Sequence, residues 1–243
     1  MTPAEEKTRV NLAAVYRLIH HFGWDDTIFT HVSAKIPGTE EFLINEFGLL
    51  FNEVEAGNLV KVDIDGNIIS GEIINPAGFV IHSAIHEARP EVSCVIHTHT
   101  RDGVAVSADR RGLMPISQQA GIVKQSLAYH DYCGIATDTN EREWLQKDLG
   151  NSKFMILRNH GLLTVGTSIP EAFMNMYILQ QACEIQTRVN IEHSVLITPE
   201  VLGTFNARKA EMFAGGPKLF WHAMLRLLYK KDPNYSRINV SLV

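Results

Sequence analysis

Two apolar runs that each turn polar at a histidine constrain this chain more than any other feature. Val92-Ser93-Cys94-Val95-Ile96 leads into His97-Thr98-His99, and Phe154-Met155-Ile156-Leu157 leads into Arg158-Asn159-His160-Gly161. Apolar runs of this length with no sustained polar alternation suit strands buried on both faces, so helices must cover the sheet on either side. The polar end of such a strand is where a scaffold delivers functional side chains.

The remaining segments fit that frame. Thr2-Pro3-Ala4-Glu5 carries the Ser/Thr-x-x-Glu capping pattern with proline at the first helical position, and predicts a helix running to about Phe22 before Gly23. Residues 28–70 change to short apolar runs divided by turn residues, with strands at Phe42-Leu43-Ile44, 59–64 and Ile68-Ile69, and a hairpin at Asp65-Gly66. Phe79 to Ala88 reads as a helix that stops before Arg89-Pro90. Asp138-x-x-Glu141 opens a helix ending near Gly150, and 162–165 is the hairpin partner of 154–157. Ser168-Ile169-Pro170-Glu171 is a capping box for a long helix to about Val189. A final helical segment spans Pro199 to Leu228 with a break at Gly215-Gly216-Pro217. The reading is an α/β chain: a single-domain three-layer α/β/α sandwich with a mixed, largely antiparallel central sheet. Its core covers about 4–195, and 196–243 forms a C-terminal helical tail.

Composition narrows the class of function. At 243 residues, 45% apolar and 20% charged, the chain can bury one sizeable core, and a mean hydropathy of -0.03 argues against disorder. A net charge of -5 supplies no basic field for nucleic acid. No stretch approaches the roughly 20 apolar residues of a membrane span, and the first residues lack the pattern of a signal peptide, so a cytoplasmic location is expected. The expected partners are small molecules and further copies of the chain. Cys94, Cys133 and Cys183 form neither pairs nor knuckles and read as buried or inert thiols.

Alternate strand residues share a face, so His97 and His99 project together, about 6 to 7 Å apart along the strand. Two such imidazoles can share one ion. His160, beside a glycine that lets the backbone turn tightly, supplies a third nitrogen. Three histidines leave a coordination position open, as in catalytic zinc sites. The other histidines have simpler readings. His20-His21 sits at a helix C-terminus, and His82 and His86, one turn apart, read as helix packing near the site. His130, in Tyr129-His130-Asp131-Tyr132, is either oriented by a carboxylate or a packing element of a loop.

Asn75-Pro76-Ala77-Gly78-Phe79-x-x-His82-Ser83-Ala84-Ile85, Arg89-Pro90-Glu91-Val92, His97-Thr98-His99-Thr100 and Asn159-His160-Gly161 together resemble the class II aldolase/adducin family. The resemblance extends from the first helix through the long helix near Val189. It implies a single α/β/α domain, a divalent ion on His97, His99 and His160 (zinc first, then manganese or iron), and homotetramers with active sites between subunits.

The departures matter as much. Sugar-phosphate aldolases of the family carry Pro-Ser-Ser-Glu where this chain has Asn75-Pro76-Ala77-Gly78, so Gly78 stands where their acid/base Glu would be. Their second phosphate-gripping loop, of Gly-Asn-x-Ser type, appears here as Thr30-His31-Val32-Ser33. Losing the carboxylate removes a proton shuttle but keeps the Lewis acid. The expected function is a metal-dependent lyase, aldolase or decarboxylase in type, acting on a non-phosphorylated carbonyl or 2-hydroxy-acid substrate through a stabilised enolate. His31, His130 and Tyr132 are the candidate acid/base groups. The alternatives are a non-catalytic adducin-like binding or scaffold module, and a sugar-phosphate aldolase or epimerase.

Overall fold

The computed structural model describes residues 1–134, 141–212 and 215–238. Its elements run α1 (Pro3–His21), β1 (His31–Lys35), β2 (Phe42–Ile44), β3 (Val60–Val62), β4 (Ile68–Ser70), α2 (Pro76–Ala88), β5 (Cys94–Thr98), α3 (Arg101–Ala108), α4 (Gln118–Lys124), β6 (Leu127–His130), α5 (Glu141–Leu149), β7 (Phe154–Leu157), β8 (Gly161–Gly166), α6 (Ile169–Thr187), α7 (Pro199–Met212) and α8 (Gly216–Lys231).

Capping chemistry sets several of these bounds. Thr2 Oγ1 accepts the Glu5 amide at 3.1 Å with Pro3 behind it, and Gly23 at φ 69° takes the left-handed turn after α1. At α2, Asn75 Oδ1 accepts the Ala77 amide at 3.0 Å, so the helix begins at Pro76, three residues before the sequence reading placed it. Proline fits that first turn because its missing N–H has no partner to lose. Ser168 caps α6 as expected, but the Glu171 carboxylate reaches back to the Thr167 amide at 2.8 Å rather than to Ser168. The expected cap Asp138 lies outside the described residues; the helix it was to open runs from Glu141 to Leu149.

The eight strands form one sheet in the order β4-β3-β2-β1-β5-β8-β7-β6. Every neighbouring pair is antiparallel except β6 with β7, which α5 connects as a crossover. The turn at Asp65-Gly66 joins β3 to β4, and the Asp63 carboxylate accepts the Asp65 and Asn67 amides across it. Three short elements, α3, α4 and β6, were not read from the sequence. The segment Thr30–Ser33, aligned above with a phosphate-gripping loop, is largely strand β1.

Alternation across β5 sorts its side chains into two cores. Cys94 and Ile96 join Val32, Leu162, Phe173 and Leu179 under α1 and α6, while Val95 joins Ile81, Ile85, Leu145 and Leu163 under α2 and α5. These two cores and the sheet between them make the three layers. Trp221 and Leu228 of α8 are buried in the first core, so part of the helical tail is packed into the domain. Cys94 and Cys183 are buried; Cys133 is exposed, unlike the other two. No helix among the described residues is long and apolar enough to cross a membrane.

Candidate metal centre

His97 lies near the end of β5, opposite Leu163 of β8, and His99 follows just beyond the strand. His160 is the last residue of the three-residue turn joining β7 to β8. The antiparallel pairing of β5 with β8 therefore brings together three imidazoles that are up to 63 residues apart in sequence. His97 Nε2 lies 2.9 Å from His99 Nε2 and 3.3 Å from His160 Nε2. One ring nitrogen from each histidine lies within 4.8 Å of the other two. Nitrogens bound at 2.0–2.1 Å in a tetrahedral zinc site stand about 3.3 Å apart, so the donor set fits such an ion.

The outward nitrogens of two of these rings are fixed. His97 Nδ1–H donates to the Leu162 carbonyl at 2.9 Å, and His99 Nδ1–H donates to Asp26 Oδ2 at 3.1 Å. Each bond leaves the Nε2 lone pair pointing inward, the tautomer a ligand needs. Burial, reinforced by the neighbouring rings, holds His97 well below the ordinary histidine range and His160 down to about 4. Both are neutral at neutral pH and ready to bind a cation.

Two non-glycine residues among the described ones have positive φ, and both adjoin this centre. Thr27, at φ 51°, follows Asp26; Asn159, at φ 54°, precedes His160. A β-branched residue in the left-handed region is costly, and such strain collects where function fixes geometry. Gly161 answers a different need: a Cβ there would come within 2.4 Å of the Thr98 carbonyl oxygen. Only glycine lets β8 start that close to β5.

The centre opens on a cavity of about 650 Å³, lined by Asp26, Phe29, His31, Phe47, Asn75, Ala77, Ile81, Val104, Tyr132, Gly134 and Asn159 together with the three histidines. Among the described residues, Asp26 is the one carboxylate in this lining, and neither Lys nor Arg appears in it. His31 pairs with His97 across β1 and β5, with ring centroids 5.1 Å apart. Tyr132 is exposed, its ring centroid 6.3 Å from that of His160.

His130 is placed differently from its expected role as an acid/base group of this site. It ends β6, buried outside the cavity lining, with Nδ1 2.7 Å from Asp148 Oδ2 and Nε2 3.5 Å from Glu141 Oε1. Of its two sequence readings, orientation by a carboxylate is the one seen. The sequence reading missed Asp26 and the Leu162 carbonyl. Neither has a local signature, because each meets its histidine only through the fold.

Gly78 and His31, two of the departures from the sugar-phosphate pattern, lie against each other. A Cβ on Gly78 would lie 2.8 Å from His31 Cδ2 and 3.1 Å from its Nε2. The imidazole fills the space into which any side chain at position 78 would project.

Comparison with known proteins agrees with this architecture. Residues 10–187 match the model of the class II aldolase and adducin N-terminal domain. A protein of Pseudomonas aeruginosa named as an aldolase class 2 protein is 50% identical over 97% of this chain and 94% of its own length. The crystal structure of an aldolase II superfamily protein from Pseudomonas syringae is 47% identical and superposes with a TM-score of 0.94 over 98% of both chains. Rat alpha-adducin is 48% identical over 190 residues, which are 76% of this chain and 26% of the adducin. The chain therefore belongs to the class II aldolase/adducin family.

Proposed function

We propose that this protein is a metal-dependent carbon–carbon lyase, aldolase or decarboxylase in type, acting on a non-phosphorylated carbonyl or 2-hydroxy-acid compound. The observation that carries this reading is the convergence of the Nε2 atoms of His97, His99 and His160, two of them aimed by Asp26 and the Leu162 carbonyl. These three residues would hold a divalent ion, zinc first, with manganese and iron as alternatives. Bound there, the ion supplies Lewis-acid stabilisation of negative charge developing on a substrate oxygen.

The chain's own residues supply the rest. His31, in the wall of the cavity, and Tyr132, at its edge, would hold or pass a proton, a reading supported by their place in the lining. The absence of Lys and Arg from the described lining favours an uncharged or singly charged substrate over a phosphate ester, whose oxygens call for such cations. Decarboxylation also suits a site whose described lining has Asp26, bonded to His99, as its one carboxylate, because loss of carbon dioxide creates a carbanion without prior proton removal. The working form is taken to be a homotetramer, tested by light scattering for four chain masses.

The test pairs metal analysis with turnover. Purified protein is expected to carry about one divalent ion per chain and to cleave or decarboxylate a non-phosphorylated member of a substrate panel in preference to its phosphorylated counterpart. His97→Ala, still folded, should lose both the ion and the turnover. A second reading, a non-catalytic adducin-like binding module, is favoured by the 48% identity to alpha-adducin over this domain. A stable oligomer that holds no metal under loading would select it, and preference for the phosphorylated panel would select a sugar-phosphate aldolase or epimerase.

A further inference from the structure

The end of the sheet that carries the histidines is chemically lopsided. β1 starts at His31 opposite His97, β2 ends at Ile44 opposite Ser33, and β6 ends at His130 opposite Leu157, so the residues just beyond these strands meet at the same end of the sheet. In strand order the cavity lining there runs from Phe47 after β2 and Phe29 before β1, through His97 and His99 at β5 and Asn159 and His160 between β8 and β7, to Tyr132 after β6. The candidate metal centre stands in the middle. Polar groups flank it toward β6, and two phenylalanines flank it toward β2.

The phenylalanine flank is apolar in depth as well as at its mouth. Gly78 lies against His31, which sets the first turn of α2 over β1, and α2 adds Ala77 and the buried Ile81 to this wall. At the mouth Phe29 is 54% exposed. The Phe47 amide donates to the Ile73 carbonyl at 3.0 Å, so half-exposed Ile73 continues the apolar surface outward. A contiguous exposed apolar surface running into a cavity marks a place that something apolar covers. The polar groups on this flank already have protein partners: Asn75 Oδ1 accepts the Ala77 and Gly78 amides, Asp26 Oδ2 accepts from His99, and His31 Nδ1 lies 2.8 Å from His82 Nε2. A polyhydroxylated chain laid here would exchange water for ring faces and leave hydroxyls unmatched, which is costly. An apolar group would instead remove the ring faces from water, which is favourable.

We propose that Phe29 and Phe47 form a subsite for an apolar arm of the substrate, so that this site takes a carbonyl or 2-hydroxy-acid compound carrying an aromatic or branched aliphatic group, its oxygens turned toward the three histidines. Strands about 4.8 Å apart put Phe29 one strand and Phe47 two strands from β5, so an arm reaching roughly 5–10 Å, such as a phenyl ring on one or two carbons, meets both rings. Phe29 and Phe47 thereby set specificity, and they take no part in bond breaking. That the compound is turned over rests on the lyase reading above; the subsite itself does not.

Titration calorimetry of the full-length protein with added zinc tests this with three probes that share a 2-hydroxy-carboxylate head: phenyllactate, lactate with a methyl arm, and erythronate with a hydroxylated arm. Because a single methylene in an apolar pocket is worth roughly 10-fold or more, phenyllactate should bind at least ~10-fold tighter than either of the others. Phe29→Ala and Phe47→Ala should each bring that preference to within about threefold, while Phe29→Leu, which keeps an apolar arm, should retain it. Erythronate binding as tightly as phenyllactate overturns the proposal and requires no variant to fold, as does phenyllactate that fails to bind. So does an unchanged preference in folded Phe29→Ala and Phe47→Ala proteins. A preference for phenyllactate in a protein that turns over no carbonyl or 2-hydroxy-acid compound would uphold the subsite and refute the lyase reading. Lyase turnover with hydroxylated arms preferred would do the reverse.

Discussion

Gly161→Ala is a one-methyl test of how tightly the candidate metal centre depends on strand approach. The new Cβ would lie 2.4 Å from the Thr98 carbonyl oxygen and 3.1 Å from His99 Cδ2. Carbon and oxygen normally approach to about 3.3 Å, so roughly 0.9 Å must be found. It cannot come from a flexible side chain. Thr98 is backbone of β5, paired on one side with β1 and on the other with β8. Overpacking of this kind costs about 1–3 kcal/mol, and replacing glycine in a strand returns roughly 0.5–1 kcal/mol. With backbone on both sides of the contact the upper range applies, and a net loss of about 1–2 kcal/mol lowers the melting temperature by roughly 2–8 °C for a chain of this size. The same displacement separates His160 from His97 and His99, and far exceeds the ~0.2 Å tolerance of metal–ligand distances. Calorimetry of the metal-free protein and zinc competition against a chromophoric chelator should therefore show lower stability together with at least ~10-fold weaker binding. A melting temperature at or above that of the parent, with zinc affinity within about twofold, would refute the argument.

Three further outcomes follow from the same geometry. Gly203→Ala, in an exposed stretch of α7 where a Cβ meets nothing within 4 Å, should raise stability by up to ~1 kcal/mol in the same calorimetric assay, the opposite sign for the same substitution. Asp26→Asn should keep the fold but weaken zinc about 10- to 100-fold in the chelator competition, because the carboxylate fixes the His99 tautomer. For pH, His31 and His86 have folded values near 3 against an ordinary 6.5, so between those limits the unfolded chain binds more protons and stability falls as pH falls. Each such group costs ~1.4 kcal/mol per pH unit below 6.5, so urea midpoints of the metal-free protein should decline steeply from pH 6.5 to 5 and stay level above about 7.

Much of the fold is legible because it is written locally. The caps at Thr2 and Ser168, the Asp65-Gly66 turn and the β7–β8 pairing all depend on residues within a few positions of one another. What escapes the sequence is short or depends on distant partners. α3 and α4 have eight and seven residues, too few for a helical period to declare itself, and β6 pairs in parallel with β7 only after the α5 crossover. Tyr129-His130 accordingly reads as loop, although Tyr129 is strand and its hydroxyl accepts the Leu113 amide at 2.9 Å.

The site divides along the same line. His97 and His99 are legible as a pair because strand alternation fixes their relation, and His160 because it ends a second buried strand. Asp26 is not, since nothing in Trp24-Asp25-Asp26 singles out the acid that meets His99 across 73 residues. The spacing of His82 and His86 showed a shared helix face but not what faced it; that depended on the phase of β1, which turns His31 and Ser33 toward α2. Gly78 and His31 make the point most sharply. Read along the chain they are two unrelated departures, one a lost carboxylate and the other an exchanged asparagine. In the fold the imidazole occupies the space above the glycine, so a side chain restored at position 78 alone would strike His31. The two positions are therefore coupled, and Gly78→Glu should be tolerated far better with His31→Gly than alone, a non-additivity that two independent departures would not show.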